Sequence, residues 1–480
     1  MGKKSKDLVM KDSEYKKLIE PYKEKAIEAL AGLIKIDSTY DEESSCMKMP
    51  FGKGVTDALD YVASLGEKLG FRVDRCNNYV TELSYGRGNK ILDIYAHCDV
   101  VEVNREHWTK EPFALTIEDN NIYGRGACDD KGSLIACLYA VKALIDDKRI
   151  NGHTLRFIVG GNEERGSRCL EHYFHTLKKT YPTMGFTPDA DFPMIYAEKS
   201  MARIQQVYQL SIKGVDSFSA GDALNIVCDN CKAVIKSDYK KLSKAVKEYS
   251  SSYRDLKGEV KEDGTVTFIG KPAHGSIPYK GVNAALHMLN FIGEYFDVEL
   301  LKFIFECYYD GRGKKMGLCF KDKVFKESTY NVGKVIYTGN ELKIFVDARF
   351  PSTVEAEEVS RKLRKITQTQ TNILSTSAGY VFDKNAPLVS LLMQAYREET
   401  GDSEAEPLAI GGGTYARESK NSVAFGPTFA GRDYRIHGDD EFLPLEDFYA
   451  SMQIYASAID KLSSYLKGEG SETASQKMDK

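Results

Sequence analysis

The segment Ile91–Gly132 has the sequence ILDIYAHCDVVEVNREHWTKEPFALTIEDNNIYGRGACDDKG, in which two apolar stretches each lead into potential metal ligands. The first stretch is typical of a strand buried on both faces, and it ends in His97 and Asp99. Residues at i and i+2 of a strand face the same way, so these side chains share one side at the strand's carboxyl end. The second stretch leads into Asp129 and Asp130, directly before a helical pattern. An imidazole and several carboxylates at such positions suit a divalent metal site.

Three segments further along the chain supply more groups of the same kind. Glu163 and Glu164 follow a second alternating strand, Leu155–Val159. Asp189 precedes a third apolar stretch, and His437 lies near the end of the chain. A His-x-Asp at a strand end and paired aspartates before a helix also occur as ordinary surface residues and helix caps. The added ligands favour the metal site, and they are numerous enough to bind two ions.

The composition is that of an ordinary globular protein, with 42% hydrophobic and 28% charged residues. At 480 residues the chain exceeds what one hydrophobic core usually supports, which predicts two domains. A net charge of −4 and a pI of about 6.2 argue against nucleic acid as a partner. The pattern Gly-x-Ser-x-Gly, typical of a serine hydrolase nucleophile, does not occur in the sequence.

The sequence also predicts the cellular compartment. The 10 cysteines are scattered without the spacing of a small disulfide framework. The first residues, MGKKS, lack the apolar core of a signal peptide. No apolar run reaches the roughly 18 residues that a membrane-spanning helix needs. We therefore expect a cytoplasmic protein without a membrane partner.

The order of predicted elements indicates an α/β protein with an inserted second domain. Helical spacing of apolar residues predicts helices at Glu20–Asp37, Val55–Leu69 and Ser133–Asp146. These helices alternate with apolar strands, whereas residues 201–383 contain short alternating strands such as Leu342–Ala348. Because His437 belongs with the ligands of the first segment, the intervening residues are interpreted as an insertion. The predicted boundaries are 1–200 and 386–480 for the catalytic domain, 201–385 for the inserted domain, and about 468 for the start of a frayed tail.

Taken together, these motifs resemble those of the di-zinc exopeptidases of the aminoacylase, carboxypeptidase G and carnosinase superfamily. The motifs are HCD at 97–99, GRGACDDKG at 124–132, NEE at 162–164, PDA at 188–190 and His437. The dipeptidase V (Xaa-His dipeptidase, carnosinase-like) branch is the most similar, through WTKEPF at 108–113, TPDADFP at 187–193 and IGGGTYAR at 410–417. The resemblance covers roughly residues 15–465. It implies a zinc-exopeptidase α/β catalytic domain, with a central mixed sheet flanked by helices, plus an inserted α+β lid domain.

The resemblance implies a role for each residue of the catalytic domain that matches a motif. His97 and Asp189 would bind one metal ion, Glu164 and His437 the other, and Asp129 would bridge the two. Asp99 would orient the imidazole of His97 without binding metal itself, and Glu163 would be the general base. In this family the peptide bond after the bridging aspartate is cis, which implies a cis Asp129–Asp130 bond.

The resemblance also implies substrate contacts outside this group. His274, in GKPAHGS, matches the lid histidine that stabilises the oxyanion, and Arg349 matches the lid arginine that binds the substrate's terminal carboxylate. Asn225 matches another lid contact. The glycine turn at 411–413 is expected to line the carboxylate side of the substrate through Gly412, Gly413 and Thr414.

The function implied is a metal-dependent dipeptidase acting on short unsubstituted dipeptides, with β-alanyl and Xaa-His dipeptides among the candidates. Two hypotheses stay open beside it: an amidohydrolase acting on N-acyl or N-succinyl amino acids, and an inactive metal-binding protein of the same fold. The cofactors implied are two divalent ions, with Zn²⁺ favoured and Mn²⁺ or Co²⁺ compatible with carboxylate-rich sites. A monomer is favoured over a lid-mediated homodimer, because an insertion of this size can complete the site within one chain.

Overall fold

A computed structural model describes the backbone of residues 10–478 and the side chains of residues 10–468. The N-terminal residues, in which no signal peptide is predicted, lie outside the described residues. The helices are α1 Glu14–Ile19, α2 Lys23–Ile34, α3 Lys53–Leu69, α4 Lys131–Asp146, α5 Arg168–Glu171, α6 Tyr239–Ser251, α7 Ala284–Tyr295, α8 Glu299–Tyr308, α9 Ala356–Thr367, α10 Pro387–Thr400 and α11 Leu445–Met478. Most of the tail predicted to fray has side chains outside the described residues, and its described backbone, up to Met478, continues α11.

Strands form the second group of regular elements. They are β1 Arg72–Asp74, β2 Val80–Gly86, β3 Ile91–His97, β4 Thr116–Glu118, β5 Asn121–Tyr123, β6 Thr154–Gly160, β7 Met184–Thr187, β8 Ala190–Asp191, β9 Ile195–Glu198, β10 Ser200–Gln209, β11 Phe218–Ala220, β12 Asn230–Val234, β13 Lys257–Val260, β14 Thr265–Ile269, β15 Thr329–Tyr337, β16 Glu341–Phe350, β17 Gln370–Ser377, β18 Tyr380–Val381, β19 Leu408–Ile410, β20 Ser422–Ala424, β21 Pro427–Thr428 and β22 Phe442–Pro444. Within the described residues, no helix combines the length and the apolar character needed to cross a membrane.

The chain forms two compact units. The first contains the residues up to Tyr196, Phe382–Leu408 and the residues from Thr414 onward, and the second contains Ala197–Val381 with Ala409–Gly413. The first unit has a central sheet with the strand order β1-β2-β6-β3-β7-β20-β9. Strand β3 pairs in parallel with β6 and β7, whereas β2 and β9 pair antiparallel with their neighbours, so the sheet is mixed. This arrangement confirms the predicted α/β fold class.

The pairing of β3 with β6 explains why distant segments of sequence meet. His97, the last residue of β3, lies opposite Gly160, the last residue of β6. Both strands are almost completely buried, and helix α4 packs against β3. Because parallel strands end at the same edge of a sheet, the loop after β6 emerges next to His97.

The predicted helices exist, with ends that differ by two or three residues: α2 ends at Ile34 rather than Asp37, and α3 begins at Lys53 rather than Val55. The segment predicted as one helix from Glu20 begins as a 3₁₀ turn, Glu20–Tyr22, and the α-helix starts at Lys23. Pro21 lies in that turn, where its missing N–H and fixed φ favour a helix start rather than a helix interior. Helix α4 starts at Lys131, two residues earlier than its apolar pattern indicates.

The second unit has an antiparallel sheet, β11-β15-β16-β10-β17, and a smaller sheet, β12-β14-β13. Its core is formed by apolar residues of these strands together with α6, α7, α8 and α9. Alternation along β16 buries Leu342, Ile344 and Val346 in this core, as the period of two predicts. The inserted α+β domain predicted from the sequence corresponds to this second unit.

A buried ion pair crosses the middle of the first unit's sheet. Arg156 on β6 donates from Nε and Nη2 to the Asp93 carboxylate on β3, at 2.7 and 2.6 Å. The hydroxyl of Tyr95 donates to the same carboxylate at 2.6 Å. Because both ions are buried, each depends on the other for its compensation.

We expect Asp93→Ala to lower the free energy of unfolding by about 3–5 kcal/mol, because Arg156 would keep a buried charge without its partner. Urea denaturation followed by circular dichroism measures this loss. The matched control is Asp57→Ala, which removes the partner of Lys53 in a pair with side chains 45% and 69% exposed. The control should change the unfolding free energy by about 1 kcal/mol at most. Equal losses in the two variants would contradict the stabilising role of the buried pair.

Candidate active site

His97 lies at the carboxyl end of β3 and is completely buried. Its Nε2 lies 3.0 Å from Asp129 Oδ1 and 3.7 Å from Asp189 Oδ2. On the other side of the ring, Nδ1 lies 3.0 Å from the Asp99 carbonyl oxygen and 3.4 Å from its carboxylate. The contact with Asp99 fixes the ring so that Nε2 faces two carboxylates.

His437 makes the corresponding arrangement from the other end of the chain. Its Nε2 lies 3.0 Å from Asp129 Oδ2 and 3.0 Å from Glu164 Oε1. The backbone of His437 has a φ of 61°, so a left-handed turn places this side chain. Asp129 therefore contacts one imidazole through each of its carboxylate oxygens.

Two groups of potential metal ligands result, and they share Asp129. His97, Asp129 and Asp189 form the first, and Asp129, Glu164 and His437 form the second, with the ligand atoms of each group within 4.8 Å of one another. The peptide bond between Asp129 and Asp130 is cis, as the sequence resemblance implied. Asp130 itself is buried and accepts the His97 backbone N–H at 2.9 Å.

The Asp99 carboxylate contacts the glutamate pair as well as His97. Its Oδ1 accepts the Glu163 backbone N–H and its Oδ2 accepts that of Glu164, each at 3.1 Å. The Glu164 carboxylate in turn contacts His437 Nε2 at 3.0 Å. Asp99 thus links the end of β3 to the loop after β6 through both of its carboxylate oxygens.

Burial and charge act strongly on these groups. Burial alone would lower the pKa of His437, but its contacts with Asp129 and Glu164 outweigh burial and raise the pKa to about 11. Burial likewise opposes ionisation of Asp129, yet the hydrogen bonds from His437 and His97 hold its pKa below the ordinary range. Burial would likewise lower the pKa of His97, but its contacts with Asp129 and Asp99 raise that pKa well above its ordinary value, so metal binding at both imidazoles competes with protons.

The remaining carboxyl groups show the opposite shift. Burial, with the charge of Asp129 as the next cause, raises the pKa of Asp189 to about 7. Burial and the charge of Asp189 raise the pKa of Glu163 well above its ordinary value. Crowded buried carboxylates repel one another, and a divalent cation is the group that compensates such a cluster.

The donor set fits a pair of divalent ions. Each group offers one imidazole nitrogen and carboxylate oxygens, a combination suited to zinc and acceptable to manganese or cobalt. The shared Asp129 presents one oxygen to each group, as a bridging ligand must. Glu163 belongs to neither group, which leaves its carboxylate for another role.

A residue that the sequence did not assign holds the loop before Asp129. The carboxylate of Glu441 is fully buried and accepts the backbone N–H groups of Gly126, Cys128 and Asp129 at 2.9–3.0 Å. It also accepts from Arg125 Nη1 at 2.7 Å. In the sequence, Glu441 is visible only as an acid four residues after His437, and Arg125 only as an arginine between two glycines. Neither pattern shows that these two side chains contact each other.

The predicted residues of the second unit form a cluster of their own. Arg349 is buried and donates to the Asp347 carboxylate from Nε at 3.0 Å and Nη2 at 2.7 Å, and to the Gly411 carbonyl oxygen at 2.7 Å. His274 is exposed, and its Nδ1 lies 2.6 Å from Ser276 Oγ. Asn225 lies next to this loop, because its carbonyl oxygen accepts the Gly275 N–H at 2.5 Å.

The glycine turn is divided between the two units. Gly412 and Gly413 are half-buried and belong to the second unit. Thr414 is buried in the first unit, where its hydroxyl accepts the Ala416 N–H at 3.2 Å and caps the 3₁₀ helix Tyr415–Glu418. The Thr414 hydroxyl therefore stabilises the start of this 3₁₀ helix.

We expect Glu441→Gln to weaken metal binding about 10- to 100-fold, because the loop that presents Asp129 would lose a charged acceptor for its N–H groups. Isothermal titration of metal-stripped protein with Zn²⁺ measures the change. Asp439→Asn is the matched control, since it removes a neighbouring carboxylate whose side chain is 49% exposed. Unchanged affinity in Glu441→Gln, with a normal circular dichroism spectrum, would remove Glu441 from this role.

Known proteins are similar to this chain over more than nine-tenths of its length. The protein named "Putative dipeptidase YtjP" of Bacillus subtilis (strain 168) is 34% identical over 465 residues, which are 92% of this chain and 98% of the relative. Human carnosine dipeptidase 1 has a similar structure, with a TM-score of 0.58 at 14% identity over 94% of this chain and 98% of that one. Aminoacylhistidine dipeptidase from Vibrio alginolyticus has a TM-score of 0.51 at 13% identity over 95% and 98%. At these identities the two structures show a shared fold.

The model of one protein family, described as peptidase family M20/M25/M40, matches residues 94–461. That range includes His97 at its beginning and His437 near its end, so it contains both groups of potential metal ligands. Since the match covers well over half of the sequence, this chain belongs to the M20/M25/M40 peptidase family.

Proposed function

We propose that this protein is a metal-dependent dipeptidase that hydrolyses short dipeptides with a free amino and a free carboxyl terminus. The observation that carries the proposal is the pair of ligand groups sharing Asp129, with the unshared Glu163 held beside them. The relative at 34% identity is named a dipeptidase, as are the two structures compared above, which supports the substrate class.

Two divalent ions, most simply Zn²⁺, would be bound by His97, Asp129 and Asp189 and by Asp129, Glu164 and His437. When bound, such ions acidify a water molecule and polarise the scissile carbonyl group. In this proposal Asp99 keeps His97 in one ring orientation and one tautomer through its contact with Nδ1. Asp99 also fixes the backbone of Glu163 and Glu164, so one residue aligns a ligand and the base.

Glu163 is the proposed general base. It would take the proton of the attacking water and deliver it to the amino group that leaves. A base needs a pKa near the working pH, and burial together with the charge of Asp189 raises the pKa of Glu163 well above that of an ordinary glutamate. The raised pKa allows this carboxylate to hold the proton during the step rather than release it to solvent.

The second unit would supply the substrate contacts. The His274 imidazole is the proposed donor to the oxyanion of the tetrahedral intermediate, and Asn225 a further contact. Arg349 is the proposed partner of the substrate's terminal carboxylate, and Asp347 keeps its guanidinium in place through two hydrogen bonds. Gly412, Gly413 and Thr414 are proposed to line the same carboxylate side. We propose that one chain contains the complete site and that the protein acts as a monomer.

We expect metal-stripped protein to be inactive, and Zn²⁺ or Mn²⁺ supplied separately to restore cleavage of Ala-Ala and β-Ala-His. N-acetyl-Ala should stay intact, because the proposed site requires a free amino terminus. Chromatography of the free amino acids released measures all three substrates. Cleavage of N-acetyl-Ala in place of the dipeptides would identify a deacylase instead. Two bound metal ions without cleavage of any substrate would identify a metal-binding protein of this fold.

We expect Glu163→Gln to keep the metal content of the parent protein and to lose at least about 100-fold in kcat, because glutamine cannot accept the water's proton. Metal analysis and dipeptide turnover on the same preparation measure both quantities. The control is Glu102→Gln, an exposed residue that pairs with Arg165 on the surface. Turnover in Glu163→Gln close to that of the parent protein would exclude Glu163 as the base.

A further inference from the structure

Strand β15 of the second unit has a local irregularity at Gly333. The register between β15 and β16 shifts between Val332 and Lys334, so Gly333 is the extra residue of a β-bulge. A side chain at this position would place its Cβ 2.5 Å from the Cα of Leu224. Glycine is therefore needed here, because the backbone of residue 224 lies directly against the strand.

Asn331, two residues before the bulge, holds the same neighbouring segment. Its side chain is 1% exposed, and its Nδ2 donates to the carbonyl oxygens of Leu224 and Ile226, at 2.8 Å each. The segment begins as a turn, in which the Ile226 N–H donates to the Ala223 carbonyl oxygen at 3.4 Å, and one amide group with two N–H donors reaches the carbonyl groups of both residues 224 and 226. Asn331 thus holds the backbone on both sides of Asn225.

The backbone of Asn225 faces the opposite way and holds the loop that carries His274. The Asn225 carbonyl oxygen accepts the Gly275 N–H at 2.5 Å, and the Val227 N–H donates to the Ala273 carbonyl oxygen at 2.9 Å. These bonds form an isolated antiparallel bridge between Ile226 and His274. The short segment Leu224–Ile226 therefore lies between the buried amide of Asn331 and the exposed loop of His274.

We propose that Asn331 is a positioning residue for His274 and Asn225, and that it acts through the backbone of Leu224–Ile226. The proposal rests on the substrate-binding roles given to His274 and Asn225 in the proposed function. The carbonyl groups of Leu224 and Ile226 need donors from the protein where they contact β15. Without the amide, the segment loses two hydrogen bonds, and the loop bonded to its other edge loses its fixed support.

We expect Asn331→Leu, which has nearly the same shape but no N–H donors, to lower kcat/KM for Ala-Ala about 10- to 100-fold. The loss should fall mainly on kcat, since the oxyanion donor acts in the transition state more than in the ground state. The matched control is Asn290→Leu, which removes a buried amide of the same unit that donates to Tyr249 and Glu294. Both variants lose buried hydrogen bonds, but only the first should lower kcat.

A double-mutant cycle separates positioning from a general loss of stability. In a background that lacks both side chains, His274→Ala with Asn225→Ala, Asn331→Leu should cost less than about 3-fold, because its effect passes through the two groups already removed. Equal costs in the presence and absence of these two side chains would overturn the proposal, as would an unchanged kcat in Asn331→Leu. A parent protein that cleaves no dipeptide would instead overturn the proposed function, before any variant is compared.

Hydrogen exchange gives a readout that does not depend on activity. The amide protons of Val227 and Gly275 should exchange at least about 10-fold faster in Asn331→Leu than in Asn290→Leu, because these protons lie in the bridge that Asn331 supports. If Asn331→Leu does not fold, Gly333→Ala is the deciding variant. Gly333→Ala displaces the backbone of Leu224 and leaves the Asn331 side-chain amide intact. The same faster exchange at Val227 and Gly275 and the same loss of kcat are therefore expected. Unchanged exchange at both amides would overturn the proposal.

Discussion

The two carboxylate oxygens of Asp129, each 3.0 Å from an imidazole nitrogen, impose the main constraint on the first unit. One imidazole comes from the end of β3 and the other from residue 437, so the backbone must bring three distant segments to one carboxylate. These contacts raise the pKa of both imidazoles, whereas burial and the charge of Asp129 raise the pKa of the Asp189 carboxyl group to about 7. The site has the charge distribution expected of a group of ligands that exchanges protons for divalent cations.

The sheet and the buried acids together meet this constraint. Parallel pairing of β3 with β6 places His97 beside the loop that carries Glu163 and Glu164, and Asp99 bonds to the backbone of both. Glu441 provides the corresponding support for the Asp129 loop. It does so by accepting three backbone N–H groups and a guanidinium within a fully buried space. His97, Glu164 and Asp129 are thus held by two acids that do not themselves belong to the ligand groups, and such supporting hydrogen bonds tune the affinity of a metal site.

The second unit supports its proposed substrate contacts with both a neutral and a charged group. His274 and Asn225 lie outside the regular strands, where a side chain is only as well placed as the backbone beneath it, whereas Arg349 lies on β16. Asn331 and the bulge at Gly333 anchor one loop, and Asp347 fixes the guanidinium of Arg349 within the same sheet. A strand irregularity that would weaken an ordinary sheet serves here to seat another segment of backbone.

The sequence alone determined the kinds of groups in this protein and their positions on local structure. Apolar runs that lead into His97 and into the Glu163–Glu164 pair predicted strand ends, and Asp189 was placed at the edge of a third apolar stretch, because hydrophobic period and strand direction are local properties. It also determined the α/β class, through the alternation of helices and strands, and it supplied the motifs of the resemblance. The ends of the predicted helices differed by two or three residues, as at both ends of α2 and at the starts of α3 and α4, since capping depends on a few atoms at each end.

The tertiary structure alone decided which distant residues meet. Arg125 and Glu441 are separated by 316 positions, and Asn331 lies 105 positions from Ile226. No local pattern encodes such contacts, because a buried acid or amide looks the same in sequence whether its partner is a guanidinium, a backbone N–H or solvent. The support beneath the candidate ligands and the substrate loops therefore followed from packing, where each buried polar group must find its partner across the fold.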